Sequence, residues 1–108
     1  MAKFTQVEYR YRDYGNWKFY GEFVLSGEFK WGSAKPFLFE ETQFIPREVG
    51  LESLTPKEMN EDDHWLHEIM ETKVVSKTKT KPVMSSAEFM RRLKKASDVG
   101  WLELCTWV

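Results

Sequence analysis

The sequence predicts an α+β fold in which an antiparallel or mixed sheet of four to five strands carries one main helix, about residues 86–99, on one face. Two segments near the amino end alternate apolar and polar residues as a half-buried strand does, and the stretch 86–99 repeats apolar residues at helical spacing. Aromatic residues make up 16% of the chain, which favours β-structure over a helical bundle. A length of 108 residues fits one domain, so we expect 1–108 to form a single globular domain.

The two alternating segments form a predicted β-hairpin, because turn-forming residues, Asp13-Tyr14-Gly15-Asn16, lie between them. In both segments the odd-numbered residues are the larger apolar set, so we expect both odd faces to point at the core. A three-residue loop, Tyr14-Gly15-Asn16, is the length that aligns those faces. It predicts four cross-strand pairs on the core side: Tyr11 with Phe19, Tyr9 with Gly21, Val7 with Phe23, and Thr5 with Leu25. It also predicts two unfavourable like-charge pairs: Arg12 with Lys18, and Glu8 with Glu22.

The middle of the chain contains shorter predicted elements. Residues 26–27 form a turn, 28–31 continue as a short strand or a helical turn, and 37–39 are a buried apolar run. We expect a short strand over 42–45 that Pro46 closes, followed by one helical turn, Pro46–Val49, which Gly50 caps in the left-handed conformation. Several rings in irregular segments are candidates for exposure: Trp31, Phe37, Phe39, Phe44 and Trp65.

Residues 55–77 allow two interpretations. Thr55, Pro56 and Glu58 have the pattern of a capped helix start, which predicts a short helix to about Glu61. An extended segment over 66–77 follows in this interpretation, because its second half is rich in strand formers: Thr72, Val74 and Val75. The alternative is a single helix over 56–71, because apolar residues recur there at helical spacing: Trp65, Leu66, Ile69 and Met70.

The carboxyl-terminal third contains the main helix. Residues 77–82 are rich in lysine and threonine and predict a solvated loop, after which Ser85-Ser86-Ala87-Glu88 has the pattern of a capping box. The helix then shows an apolar stripe and ends at Gly100: Phe89, Met90, Leu93 and Ala96. We expect Trp101 to pack back on the last turn, and 101–108 to form a final strand, central or covered because it is apolar on both faces.

Charge and cysteine content argue against several classes of protein. The net charge is −1, which argues against a dedicated nucleic-acid binder and against a polybasic membrane anchor. The charge is unevenly distributed, since residues 40–71 carry ten acids and two bases whereas 72–108 carry eight bases and three acids. The single cysteine, Cys105, cannot form an intramolecular disulfide, and the amino end shows no apolar signal segment. We therefore expect a cytoplasmic protein that does not enter a membrane.

One cluster contains residue types suited to metal chemistry. His64 and His67, with acids at 61–63, can bind a divalent metal if the segment is helical, because the two rings then share a face. On a strand the two rings point to opposite sides, and no glutamate follows the first histidine as in the His-Glu-x-x-His pattern. We therefore expect no metal site, no cofactor and no catalytic residue, and we expect Cys105 to be a buried thiol.

The absence of a catalytic motif and the many aromatic residues predict a protein-binding module: an inhibitor, an immunity protein or a regulatory partner. Its partner would be another protein or a second copy of the chain. The expected interaction patch is acidic and lies beside a tryptophan: Glu58, Glu61, Asp62, Asp63, His64 and Trp65. One alternative is a metal-dependent enzyme centred on His64 and His67. The other is a single-stranded nucleic-acid binder that uses the bases of the hairpin: Arg10, Arg12 and Lys18.

Overall fold

The structure, a computed structural model, describes residues 3–56, 58 and 63–104. Its strands are β1 (Phe4–Arg12), β2 (Lys18–Ser26), β3 (Gln43–Phe44), β4 (His67–Val75) and β5 (Met84–Ser85). Its helices are α1 (Trp31–Ala34), α2 (Ser86–Val99) and α3 (Trp101–Leu104), with 3-10 turns at Lys35–Phe37 and Pro46–Val49. The five strands form one sheet in the order β3-β4-β1-β2-β5, antiparallel except between β2 and β5. The predicted α+β class, with a mixed sheet and one main helix, is confirmed.

The β1–β2 hairpin has the register that its loop length predicts. All four expected pairs on the core side and both like-charge pairs are present in the ladder. The backbone N–H of Asp13 donates to the carbonyl oxygen of Trp17 at 3.1 Å and closes the loop. Asn16 has a φ of 70°, the left-handed conformation that a three-residue hairpin loop requires.

Gly21 is needed opposite Tyr9. A Cβ atom at this position would lie 2.9 Å from both the Tyr9 ring and a methyl carbon of Leu54. The missing side chain therefore lets Tyr9 and Leu54 cover the strand at its centre. The Tyr9 hydroxyl donates to the carbonyl oxygen of Glu52 at 2.8 Å, and burial raises the pKa of Tyr9 to about 12.

Two odd-numbered rings of the hairpin do not lie in the core. Trp17 is 71% exposed and Phe19 is 45% exposed, so the prediction that the odd faces point wholly at the core is wrong for these two residues. Phe23, further along β2, is buried and contacts Phe89 of α2 with ring centroids 5.4 Å apart. The hairpin extends beyond the area that α2 covers, which leaves its loop end open to solvent.

The core lies between the odd face of β1 and β2 and the apolar face of α2. Phe89 is fully buried at its centre, with the rings of Phe29 and Phe44 at 5.2 and 6.2 Å between centroids. Of the rings in irregular segments, Phe44 is buried, and the others are partly buried against the core: Trp31, Phe37, Phe39 and Trp65. Among the residues that the structure describes, the large exposed rings are therefore those of the hairpin.

The segment 66–77 is extended, as the first of the two interpretations predicts. β4 pairs with β1 along most of its length, from Phe4 opposite Val75 to Arg10 opposite Glu68. The alternative single helix over 56–71 is wrong. The residues of β4 form backbone hydrogen bonds with β1, and this pairing outweighs the helical spacing of their apolar side chains. Pro56 and Glu58 are not helical, and the other residues of the predicted short helix, 57 and 59–61, lie outside the described residues.

The short strand predicted before Pro46 and the helical turn predicted after it are confirmed, whereas residues 28–30 form neither a strand nor a helix and α1 begins only at Trp31. β3 precedes Pro46, and the 3-10 turn Pro46–Val49 ends at Gly50, which has a φ of 78°. At this angle a side chain is strained, and a Cβ atom on Gly50 would also overlap Nη1 of Arg92. Arg92 donates from that nitrogen to the carbonyl oxygen of Val49 at 3.1 Å, so the turn and α2 are joined at this glycine.

The main helix begins and ends where the sequence predicts. The Ser85 hydroxyl accepts a hydrogen bond from the Glu88 backbone N–H at 3.0 Å, as the cap of α2. Glu88 in turn accepts side-chain hydrogen bonds from Arg91 and Arg92, which lower its pKa. Gly100, with a φ of 104°, ends the helix.

We expect Ser85→Ala to lower the free energy of unfolding by about 1 kcal/mol, because the Glu88 N–H loses its acceptor at the start of α2. Ser85→Asp retains an acceptor and is the matched control, with a loss of a few tenths of a kcal/mol at most, roughly. Urea unfolding followed by circular dichroism measures both variants. Equal stability of the alanine and aspartate variants would contradict the assignment of this cap.

The predicted final strand over 101–108 is wrong for its first half. Residues 101–104 form the short helix α3, and the edge of the sheet beyond β2 is taken by β5 instead. Trp101 is buried as expected, and its Nε1 donates to the carbonyl oxygen of Phe37 at 2.8 Å. That contact holds the chain against the helix side of the core, away from the sheet. Residues 105–108, including Cys105, lie outside the described residues.

Candidate functional site

Four aromatic side chains at the loop end of the hairpin are exposed. Tyr14 is 75% exposed, Trp17 71%, Tyr20 58% and Phe19 45%. We call these four residues the hairpin surface. Trp17 and Phe19 share the face of the sheet that carries α2, whereas Tyr20 lies on the opposite face because the side chains of a strand alternate. Large rings clustered in solvent are typical of protein interfaces.

The hairpin surface rests on a rigid base. Phe19 stacks on buried Tyr11 at 6.4 Å between centroids, and Tyr14 lies 5.0 Å from the His64 ring. The Tyr11 hydroxyl donates to Oδ1 of Asp63 at 2.5 Å and accepts from the His64 backbone N–H at 3.2 Å. Burial, and then the hydrogen bond to Asp63, raise the pKa of Tyr11 above its usual value. The exposed rings are therefore supported by a buried hydrogen-bonded group.

The edge of β2 beside the hairpin surface is open. β5 pairs with β2 only at Leu25 and Ser26, and the Val83 backbone N–H donates to the Val24 carbonyl oxygen at 2.9 Å. Within the ranges that the structure describes, no strand pairs with the stretch 18–22 on this side. An open strand edge presents unpaired N–H and carbonyl groups that another chain can bind.

Charges on the face opposite α2 lie in rows across the strands. Glu22, Glu8 and Glu71 are cross-strand neighbours on β2, β1 and β4. Lys18 and Arg12 are neighbours in the same way, four residues nearer the hairpin loop. Both rows end at the open edge of β2, the acidic row in Glu22 and the basic row in Lys18.

A groove of about 500 Å³ opens next to Tyr14. Charged side chains from three parts of the chain line it: Arg12 and Asp13, Glu40, and Glu68. Glu40 and Glu41 both have left-handed φ values, 50° and 67°, where this side of the groove turns. A backbone conformation that is costly for glutamate is thus held beside the hairpin surface.

The structure does not assemble the sequence-predicted patch into one exposed cluster among the residues it describes. Asp63 is buried and holds the Tyr11 hydroxyl, whereas Glu58 is exposed. The ring of Trp65 packs on the core and lies 4.0 Å below the guanidinium of Arg47. His64 is half-buried, and Glu61 and Asp62 lie outside the described residues. The patch itself stays a prediction.

Both histidines form hydrogen bonds to the backbone through both ring nitrogens. In His67, Nε2 accepts from the Leu54 N–H and Nδ1 donates to the Trp65 carbonyl oxygen, each at 3.0 Å. In His64, Nδ1 accepts from the Leu66 N–H at 3.1 Å, so its proton lies on Nε2, which is 2.7 Å from the Arg12 carbonyl oxygen. A metal would have to displace a backbone donor from either ring.

Burial is the main cause that lowers the pKa of His67 to about 4. The ring is fully buried among aromatic side chains, with Tyr11 at 5.1 Å and Tyr9 at 6.0 Å between centroids. His67 is therefore neutral at pH 7. Its side chain joins the segment at Leu54 to β4 through a hydrogen bond. Its two backbone bonds indicate a structural role.

The bases of the hairpin are partly neutralised within the chain. Arg10 forms an ion pair with Glu68 of β4 at 3.0 Å, and Arg12 lies 3.9 Å from the same carboxylate. A single acid thus faces two of the three bases that the nucleic-acid hypothesis requires, which reduces the positive potential available to a phosphate backbone. Among the described residues, no helix has the length and apolar content needed to cross a membrane.

The sequence does not predict the hairpin surface, because period-two alternation only assigns rings to a face of the sheet. It does not show how far the elements that pack on that face extend. The available signal was the position of Trp17, which directly follows the predicted turn and so lies at the loop end of the hairpin. Comparison of the chain with protein-family models, curated proteins and solved structures gives no match.

Proposed function

We propose that this chain is a protein-binding module without catalytic activity and that the hairpin surface is its contact site. The observation that carries the proposal is the exposure of Trp17, which is 71% accessible at the end of an otherwise well-anchored hairpin. A buried tryptophan in an interface is among the side chains that contribute most to binding. Such a module would act as an inhibitor, an immunity protein or a regulatory partner.

The rigid base of the hairpin surface supports this role. Side chains that are already held in place lose less conformational entropy on binding than flexible ones do. Phe19 stacked on Tyr11, and Tyr14 against His64, meet that condition. The adjoining groove adds charged groups at the rim, where they favour one partner over another through complementary charge.

The two alternative functions, a metal-dependent enzyme and a single-stranded nucleic-acid binder, have weaker support. The imidazole nitrogens of His64 and His67 are held by backbone groups, and Glu68 faces two of the three hairpin bases. The single cysteine, Cys105, supports a cytoplasmic location for the module, because it cannot form an intramolecular disulfide.

The test is a double substitution, Trp17→Ser with Phe19→Ser, compared with the wild-type chain in quantitative affinity capture from cells. We expect the abundance of a specific partner to fall about 30-fold or more, because truncated interface hot spots cost about 2 kcal/mol or more. The matched control is Val83→Ser with Val99→Ser, two comparably exposed residues outside the hairpin, at 51% and 56%. Circular dichroism checks that both variants are folded.

The sequence-predicted patch provides a third arm of this experiment. Charge reversal at Glu58, Glu61 and Asp62 leaves the buried Asp63 intact and so avoids its internal hydrogen bond. Loss of the partner in this variant, with retention in the Trp17/Phe19 variant, would move the contact site to the patch. If neither variant changed what is captured, the protein-binding proposal would be wrong at both sites.

A further inference from the structure

We propose that the open edge of β2 pairs antiparallel with the same edge of a second copy, which joins the two sheets into one. The inference rests on the proposed protein-binding function and names the partner as this chain itself. It combines three features of the described residues: the backbone groups at the edge, the charges beside it and the exposed rings. Each of them points to the same register.

The hydrogen-bonding parity of the hairpin decides which residues can bind across the edge. The Gly27 N–H donates to the Lys3 carbonyl, and the Asp13 N–H to the Trp17 carbonyl, so odd-numbered residues of β2 use their backbone groups towards β1. Even-numbered residues therefore direct theirs outward, as the Val24 carbonyl does towards the Val83 N–H. Lys18, Tyr20 and Glu22 direct their N–H and carbonyl groups to the open side.

Charge then selects one register. Antiparallel self-pairing must place even residues opposite even residues, and centring it on Tyr20 sets Lys18 of each copy against Glu22 of the other. Centring it on Lys18 or on Glu22 would bring two like charges together at the axis. The seam is the line along which the two β2 edges pair. If the register is shifted by one residue pair in either direction, Lys18 and Glu22 have no opposite charge across the seam. The Tyr20 register is thus the favourable one along this edge.

The charge rows continue across this seam. In one copy, Lys18 lies beside Arg12 and Glu22 beside Glu8, and no ion pair among the described residues includes Lys18 or Glu22. In the paired sheet, the acidic row that ends in Glu22 meets the basic row of the second copy, which begins with Lys18. Two unfavourable pairs of the single copy therefore each gain a neighbour of opposite charge.

The exposed rings fit the same arrangement. Tyr20 meets Tyr20 of the second copy on one face. On the other face Phe19 lies opposite Gly21, where the apolar side chains of Tyr9 and Leu54 cover the strand. Trp17 lies opposite Phe23. Val83 and β5 occupy the edge from Val24 onward, opposite Asn16, where the second copy already turns away into its hairpin loop. The two α2 helices lie on the same face, towards opposite ends of the seam.

The experiment is a charge exchange read out as mass in solution by sedimentation equilibrium, with Lys18→Glu and Glu22→Lys as separate variants. We expect the wild-type chain to form dimers and each variant to dissociate about tenfold or more readily, because two seam pairs become repulsive. Each substitution turns a like-charge pair within the monomer into an opposite-charge pair. The monomer therefore stays folded, and thermal unfolding checks this.

The decisive arm is an equimolar mixture of the two variants. One variant then carries acids and the other bases at both positions, so every seam pair in the mixed dimer has opposite charges. We expect the mixture to regain the dimer mass at the wild-type concentration, while each variant alone does not. A monomeric wild-type chain up to about 1 mM, variants that stay dimeric, or a mixture that stays monomeric would each overturn the proposed pairing.

Failure of this inference and failure of the proposed function give different results. A monomeric wild-type chain that still loses a foreign partner through Trp17→Ser with Phe19→Ser refutes self-pairing and retains the protein-binding function. If the serine double variant changes neither the mass nor the captured proteins, the hairpin surface is not a contact site. Self-pairing and the protein-binding function are both supported by two results together. The serine double variant must weaken the wild-type dimer, and the equimolar mixture of the two charge variants must form a dimer.

Discussion

Replacing Phe89 with alanine is expected to lower the free energy of unfolding by about 3–5 kcal/mol, the largest effect of any substitution considered for this chain. Phe89 is fully buried where α2 meets the sheet, and its ring contacts three others: Phe23, Phe29 and Phe44. Removing it leaves a cavity between elements that cannot close without moving the helix. A domain of this size has a total stability of only about 5–15 kcal/mol, so the variant would lose a large part of it.

Urea unfolding measures this loss, with two matched variants on the same helix. Phe89→Leu keeps most of the apolar volume and should lose clearly less than the alanine variant, which separates cavity size from loss of the ring. Val99→Ala, at a position 56% exposed, should change stability by about 0.5 kcal/mol or less. A loss at Phe89→Ala as small as that at Val99→Ala would show that Phe89 is not at the centre of the core.

The second large effect is a dependence of stability on pH that comes from His67. Burial lowers its pKa in the folded chain to about 4, against about 6.5 when unfolded. The unfolded chain therefore binds the proton first, and the contribution of His67 is complete above pH 6.5, roughly, and lost as the pH falls to about 4. A shift of this size corresponds to about 3 kcal/mol. The geometry gives the same sign, since a proton on Nε2 would face the Leu54 N–H donor.

Urea unfolding at several pH values between about 7 and 4 tests this with His67→Gln. Glutamine offers an oxygen acceptor to the Leu54 N–H without titrating in this range, so the variant should lose stability at pH 7 and show a flatter pH dependence. Phe44→Leu is the control, because Phe44 lies 6.4 Å from the His67 ring and its loss weakens the same packing while the titration remains. Parallel pH curves for wild type and His67→Gln would contradict the assigned role.

The hairpin shows how far local sequence rules extend. Parity required the odd residues of both strands to share a face, and the observed pairs of Tyr11 with Phe19 and Tyr9 with Gly21 follow from it. The same applies to the cap at Ser85 and the end of α2 at Gly100, because each depends on residues within one or two turns of the chain. These elements needed no knowledge of distant contacts.

The candidate site was only partly within reach of such rules. Asp63 belongs to the predicted acidic patch, yet it is buried because Tyr11, far away in the chain, brings a hydroxyl to it. Trp65 was a candidate for exposure and packs on the core instead. Conversely, Trp17 and Phe19 have the alternation of core residues and lie in solvent. Alternation assigns a side chain to a face, and burial depends on what covers that face.

The sequence by itself determined the α+β class, the hairpin register and the limits of the main helix, since these follow from interactions between residues close along the chain. The tertiary structure decided which rings are covered, that residues 67–75 form a strand beside β1, and that Trp101 begins a short helix against Phe37. Those outcomes depend on contacts between distant segments, whose free energy exceeds the local preferences of the residues involved. The exposed hairpin surface and the open edge of β2 are results of that second kind.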